Sequence, residues 1–308
     1  MRTTAYVLAA DPAFLTESLL AYYPHVERIV VSYDENARSW TGTPLPVEEC
    51  LQAIARLDTA GKCVLAPGHY ARLDHDPLDN DTFQRQCALD QASEDADWVV
   101  QLDTDEVMPR PDTFLRTLHH ADAAGAGGLE FPSRWLYAQV GPGTYLEAAT
   151  RSGRLAANYP GPLAIRAGAD LRLCRQSDTP LYRVDVRPWN SDPLHPRDVV
   201  VHEVIPESHA VVHFSWVRSE AAMRAKFGWS GHTAEYSEPA VYSRWKWRKD
   251  HPRAAALTSR LRGEEWYRIA RISDPPISAP VAHRAPTGPT GRPAGARATA
   301  PTTPRDLR

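Results

Sequence analysis

The first third of the chain alternates two hydrophobic rhythms. Residues 3–10 (TTAYVLAA) read as a strand, and 12–24 (PAFLTESLLAYYP) as a helix bounded by Pro12 and Pro24. The β-branched run 26–34 (VERIVVSYD) suits a strand buried on both faces. Residues 46–61 (PVEECLQAIARLDTAG) predict a second helix ending at Gly61, and 62–68 (KCVLAPG) a third strand. Residues 79–95 (DNDTFQRQCALDQASED) predict a third helix, and 97–107 (DWVVQLDTDEV) a fourth strand. Strands and helices alternating at this spacing imply parallel βαβ units, hence an α/β fold with a doubly wound, mostly parallel sheet and helices on both faces.

Beyond residue 108 the rhythm loosens into an α+β half of the same domain, spanning 108–274. Residues 128–140, 163–175, 199–204 and 209–217 are strand-like, and 219–229 (SEAAMRAKFGW) predict a helix. Residues 242–249 (YSRWKWRK) interleave aromatic and basic side chains. They read as an amphipathic helix covering the sheet, with contact to a membrane surface or an anionic acceptor as the alternative. The segment 275–308 is rich in Pro, Ala, Thr and Arg, has almost no large apolar residue, and is expected to be disordered.

Charge sharpens this division. The chain carries a net −3, and its 275–308 segment holds five Arg against one Asp, leaving the body near −7. An acidic body argues against nucleic acid as a partner, because phosphate contacts need clustered Lys and Arg. No apolar stretch approaches the length of a membrane span, and the N-terminus turns acidic too soon for a signal peptide. The four cysteines (50, 63, 87, 174) form no CxxC pair. They read as reduced core thiols of a cytoplasmic protein rather than a zinc or disulfide framework.

The sharpest chemical signal is Leu102-Asp103-Thr104-Asp105-Glu106, directly after the apolar run Trp98-Val99-Val100. Three carboxylates at the end of a buried strand repel one another and lose hydration. A divalent cation relieves both costs, and oxygen ligands on a tight turn suit Mg²⁺ or Mn²⁺ with positions open to substrate phosphates. A solvated acidic turn is the plain alternative. Ligands of doubly wound sheets bind at the carboxyl ends of strands, where Asp34 and this cluster fall. No GxxxxGK[ST], GxGxxG or GxSxG motif is present, Gly141-Pro142-Gly143 reads as a turn, and the adjacent His119 and His120 face apart on a helix.

The stretch YVLAAD…VERIVVSYDEN…FQRQCALDQASEDADWVVQLDTDE resembles the nucleotide-binding half of GT-A fold glycosyltransferases, nearest the family-2-like enzymes, over residues 4–107. The resemblance implies that Asp103 and Asp105 handle a metal ion and the ribose and diphosphate of a nucleotide-sugar donor. It implies that Asp34 contacts the donor base or ribose and that Arg85 faces the donor. The usual Asp-Gly-Ser after the second strand is Asp34-Glu35-Asn36 here. More loosely, over 170–232, an Arg-rich strand (171–175), Val201-His202-Glu203 and His213-Phe214-Ser215 are similar to bacterial transferases of the lipopolysaccharide-core type. That likeness implies Glu203 as general base on the acceptor hydroxyl and His213 as a late metal or diphosphate contact; plain strand-end roles compete for both.

The leading expectation is therefore a metal-dependent, inverting glycosyltransferase acting on a carbohydrate, lipid-linked or small-molecule acceptor, with Trp135, Tyr137 and Trp216 as stacking faces. If Glu203 lies off the cleft, Asp185 and Asp192 are the next carboxylates to consider. A sugar-nucleotide nucleotidyltransferase would share fold and metal, but no Gly-rich, basic phosphate loop follows the first strand; two further alternatives stay open. Trp98 to Val107 also fits the first motif of haloacid-dehalogenase-type phosphatases, though three βα units precede it and no Gly-Asp-x-x-x-Asp follows. A non-catalytic nucleotide-sugar binder on the same fold is the other.

Overall fold

The computed structural model describes residues 1–194, 198–262 and 265–272. These residues lie within one compact unit, Met1–Ile277. The 275–308 segment, expected to be disordered, lies outside the described residues.

The first half follows the predicted alternation: β1 (Thr3–Leu8), α1 (Leu15–Tyr22), β2 (Ile29–Asp34), α2 (Val47–Leu57), β3 (Cys63–Gly68), α3 (Pro77–Ser93) and β4 (Trp98–Val100). Pro24 sits in a 3₁₀ turn closing α1. Asp76 caps α3 by accepting the Leu78 N–H, with Pro77 at the first helical position, where its missing donor costs nothing. Then come β5 (Glu106–Val107), α4 (Pro111–Ala123), β6 (Gly128–Glu130), β7 (Ser133–Gly141), β8 (Thr144–Ala149), β9 (Ala164–Arg166), β10 (Leu181–Asp185), β11 (Glu203–Val204) and β12 (Val211–His213). Helices α5 (Glu220–Trp229), α6 (Thr233–Tyr236), α7 (Pro239–Asp250) and α8 (Pro252–Arg262) precede β13 (Trp266–Arg271).

Eight strands form the main sheet in the order β11-β10-β6-β9-β4-β1-β2-β3. All neighbours pair parallel except β9, which runs antiparallel to both β4 and β6. This is the doubly wound, mostly parallel α/β sheet the strand–helix rhythm predicts. Its central strands have two apolar faces. Ala5, Val7, Ile29, Val31, Trp98 and Val100 point into one core with Leu15, Leu19, Ile54, Phe114 and Leu118. The alternate residues Tyr6, Leu8, Val30 and Val99 meet Ala88, Leu89 and Ala92 of α3 on the other face.

The structure corrects four strand assignments. Residues 97–107 do not form one strand: the chain leaves the main sheet after Val100, turns through Gln101–Asp105, and enters a second, five-stranded sheet as β5. Residues 128–140 likewise split at Phe131-Pro132 into β6 of the main sheet and β7 of the second. The Arg-rich 171–175 segment is no strand but a turn closed by a Leu173–Gln176 bridge. Of 199–204, only Glu203–Val204 pairs, as the outermost strand.

The second sheet, ordered β13-β8-β7-β12-β5, is held by an ionic crossbar. Glu147 on β8 is fully buried and accepts from Arg134 on β7 and from Arg268 on β13, at 2.8 Å in the latter pair. Removing one partner of such a pair leaves an uncompensated buried charge, which costs far more than the intact pair contributes. Glu147→Leu is therefore expected to lower the unfolding free energy by about 3–5 kcal/mol in urea titration; a loss below about 1 kcal/mol would contradict a structural role for this pair.

Candidate active site

The strand order reverses at β1: β2 and β3 lie on one side, β4 on the other. Such a switch point opens a crevice beyond the carboxyl ends of the two diverging strands. A cleft of about 460 Å³ lies there, bordered by Asp11 after β1, Asp103–Asp105 after β4, and Arg85 on α3.

The turn after β4 is fixed from several sides. Gln101 is wholly buried; its side chain donates to the carbonyls of Pro162 and Arg175 and accepts from the Tyr6 hydroxyl. The Glu106 N–H donates to the Asp103 carbonyl (3.0 Å), and the Ser18 hydroxyl donates to that carbonyl too. Glu106 has no exposed surface. Its carboxylate accepts the Asp103 N–H (3.0 Å) and both terminal nitrogens of Arg175, each at 2.6 Å. Glu106 is thus consumed in positioning the turn. Cys174 adopts a left-handed backbone (φ 49°) just before Arg175. Gly161, at φ 133°, leaves the room that Arg175 fills: a Cβ there would meet Arg175 Cγ at 2.8 Å.

The second half of the chain reaches the turn through β12. His213 pairs in register with Glu106 on antiparallel β5, and the Phe214 N–H donates to the Asp105 carbonyl (2.8 Å). His213 Nε2 consequently lies 3.2 Å from Asp105 Oδ1. Its Nδ1 is buried without a hydrogen bond, 3.7 Å from Glu106 Oε1. The other Asp105 oxygen, Oδ2, faces Arg218 Nη2 (2.9 Å) and Lys226 Nζ (2.8 Å). Arg218 Nη2 also reaches Asp11 (2.9 Å), and Lys226 donates to the Ser215 hydroxyl (2.8 Å).

Electrostatics follow from these contacts. Burial by itself would raise the Asp105 pKa, but Lys226, His213 and Arg218 reverse this and hold the carboxyl well below its usual range. Burial acts the same way on Asp103, and Arg85, then Arg175, bring it below the ordinary value. Arg85 Nη1 donates to Asp103 Oδ1 (2.9 Å), while its Nε is held by Asp81 one helical turn earlier (2.6 Å). Asp103 keeps 31% of its side chain exposed toward the cleft. Five carboxylates (Asp11, Asp81, Asp103, Asp105, Glu106) thus face four fixed cations (Arg85, Arg175, Arg218, Lys226), one negative charge in excess.

The structure therefore brings Arg85, Asp103, Asp105 and His213 together and leaves two sequence candidates apart. Asp34 is buried beside a small pocket with Trp40 and Trp229, but its oxygens accept four backbone N–H groups, of Asn36, Arg38, Tyr70 and Ala71. Its carboxylate ties the loops after β2 and β3 together. Glu203 does not border the cleft. It lies on edge strand β11, four strands from β4 and hence about 19 Å away across the sheet. There it accepts from Arg116, and its other oxygen lies 2.8 Å from His120 Nδ1 of α4, accepting when that nitrogen carries the proton. Of its proposed substitutes, Asp185 is wholly buried on Ser191 and the Val186 N–H, whereas Asp192 lines the cleft. Of the three aromatics expected as stacking faces, only Trp135 borders the cleft; Tyr137 and Trp216 stack on each other under Arg248. Sequence reasoning missed Asp11, Arg218 and Lys226. The position of Asp11 at the carboxyl end of β1 was a usable signal; α5 offers none for Lys226.

Among the described residues, no three His, Cys, Asp or Glu side chains converge as a ready-made metal site, and no helix is long and apolar enough to cross a membrane. No family model matches the chain, and no curated protein does. Among solved structures, it is similar to S. aureus TarS 1-349, at 14% identity and a TM-score of 0.36, over 54% of this chain and 47% of that one. The match thus spans about half of the TarS chain. Similarity extends to 4-diphosphocytidyl-2C-methyl-D-erythritol synthase from Anaerococcus prevotii (14%, TM-score 0.32, 54% and 71% of the two chains). A third is CMP:2-keto-3-deoxy-manno-octonic acid synthetase complexed with CTP (16%, TM-score 0.31, 54% and 75%). The fold assignment stands on the sheet topology itself.

The depressed Asp105 pKa carries a pH prediction. A carboxyl with a folded pKa below its unfolded value of about 3.9 adds stability that is complete above that value and lost as pH falls through the folded pKa. Melting temperature followed from pH 6 down to about 2 should decline more steeply in the wild type than in Asp105→Asn. Identical slopes would show that the cations around Asp105 do not stabilise its ionised form.

Proposed function

We propose that this protein is a glycosyltransferase that moves a sugar from a nucleoside-diphosphate donor to an acceptor hydroxyl with inversion. The observation that carries the reading is the pairing of Asp105 with His213 at the switch-point crevice, beside Asp103 and Arg85.

The residues fit a divalent cation. Asp105 Oδ1 and His213 Nε2 offer one oxygen and one imidazole nitrogen facing each other, and Glu106 stands behind the ring as a carboxylate that can orient it. Mg²⁺ and Mn²⁺ need only one or two protein ligands when phosphate oxygens and water complete the shell. Charge argues the same way. Carboxylates outnumber cations in that network and Asp192 adds another on the cleft wall, so the cleft repels a diphosphate, and a divalent ion offsets that charge. When bound, the ion would neutralise the leaving diphosphate.

The chain's own side chains supply the rest. Asp103, partly exposed and steadied by Arg85, faces the donor's ribose and diphosphate. Lys226 and Arg218 hold Asp105 ionised and in place. Arg175 and Glu106 fix the turn so that none of this has to reorganise on binding. Trp135 offers an aromatic face to a sugar ring. Asp192, on the cleft wall, takes the general-base role on the acceptor hydroxyl that Glu203 is placed too far away to fill. Single displacement by that hydroxyl inverts the anomeric carbon. The phosphatase alternative gains nothing from this site, because Asp103 meets guanidinium groups at both oxygens (2.9 and 3.8 Å), which blunts a nucleophile.

A general base acts in the transition state and contributes little to donor affinity. In a thermal-shift panel of UDP-, GDP- and dTDP-sugars with and without Mn²⁺, the wild type and Asp192→Asn should respond alike to one donor with metal, and Asp105→Ala should not respond. Turnover with that donor should fall by about 10²–10⁴ in Asp192→Asn and stay within a few-fold in Glu203→Gln. A Glu203→Gln variant that keeps donor binding and loses turnover would overturn the assignment of the base. An Asp105→Ala variant that keeps the Mn²⁺-dependent shift would overturn the site.

A further inference from the structure

Helix α8 buries one side and exposes an unusual other. Ala255 and Ser259 pack inward, Ala255 against Ala138, Leu146 and Tyr267 of the second sheet. At 100° per residue, Arg253, Leu257, Arg260 and Leu261 fall within an arc of about 100° on the opposite side. Leu257 is 70% exposed and Leu261 83%, while both arginines are exposed and form no ion pair among the described residues. Trp247, near the end of the preceding helix, is exposed as well (39%). Its neighbours Trp245 and Arg248 are buried, so α7 turns most of its aromatic face inward, as expected for a helix over 242–249 that covers the sheet. Residues 239–261 carry six Lys or Arg against one Asp, on a chain of net charge −3.

A helix face with leucines at its centre and uncompensated arginines beside them asks for a partner that is both apolar and anionic. The 275–308 segment does not answer, since it carries five Arg against one Asp and would be repelled. A second copy of the same face would be repelled likewise. Nucleic acid supplies the charge but no use for two exposed leucines. We infer that the exposed face of α8 docks on an anionic lipid bilayer, the leucines entering the interface while Arg253 and Arg260 meet the headgroups. This goes beyond the glycosyl-transfer reading and does not depend on it.

Flotation of the full chain with vesicles tests the inference directly. Wild type should float with phosphatidylcholine vesicles containing phosphatidylglycerol, not with phosphatidylcholine alone, and should be released by high salt. Leu257→Ser combined with Leu261→Ser should weaken that binding at least about tenfold, and Arg253→Glu with Arg260→Glu should abolish it. Both sites are on the surface, so the melting temperature should hold. Because these variants retain the basic 275–308 segment, undiminished binding by the leucine variant would assign the attraction to charge alone and overturn the proposal. So would a wild type that ignores anionic vesicles, or one that binds duplex DNA with no loss in the leucine variant.

Discussion

The buried bidentate pair between Arg175 and Glu106 is the constraint from which the cleft takes its shape. Its two charges come from distant parts of the chain: Glu106 opens β5 of the second sheet, and Arg175 follows β9 of the main sheet. Both are almost wholly excluded from water, so neither can be lost without stranding the other. Glu106 also caps the Asp103 N–H and backs the His213 ring, so the same carboxylate sets the turn, the histidine and the junction of the two sheets. Arg175 in turn depends on Gly161 for space and on the left-handed Cys174 for direction. Asp103 and Asp105, the carboxylates at the cleft, are carried on this frame rather than forming it.

The first half of the fold was legible because each element obeys one rule. The central strand β2 is a β-branched run buried on both faces, and helices α1 and α2 stop just before Pro24 and Gly61, so local pattern and tertiary role agree there. The second half was less legible because strands change sheets in mid-run. Residues 97–107 look continuous, yet acidic residues in an apolar run mark the turn where the chain crosses over. At 128–140 the marker was Pro132, which cannot donate within a central strand and sits at the crossing between β6 and β7. Asp103, Asp105 and His213 were readable because they end strands that local pattern identifies. Glu203 was misplaced for a physical reason: motif order along a chain does not say which edge of a sheet a strand occupies, and β11 went to the edge farthest from β3. Lys226 was invisible because a lysine on an amphipathic helix reads as solvated until the fold shows what it faces.

The charge pattern connects the frame to the chemistry. Buried acids and bases alternate around Asp105 and leave carboxylates in excess at the cleft, a sign suited to a divalent ion accompanied by an anionic diphosphate. The central claim is that the bond broken lies between sugar and diphosphate. Phosphorus NMR of the reaction mixture addresses it directly. Incubation with the matching nucleotide sugar, Mn²⁺ and a hydroxyl acceptor should release nucleoside diphosphate. Formation of pyrophosphate from a nucleoside triphosphate and a sugar phosphate, with no nucleoside diphosphate from any nucleotide sugar, would contradict the account and make the protein a nucleotidyltransferase.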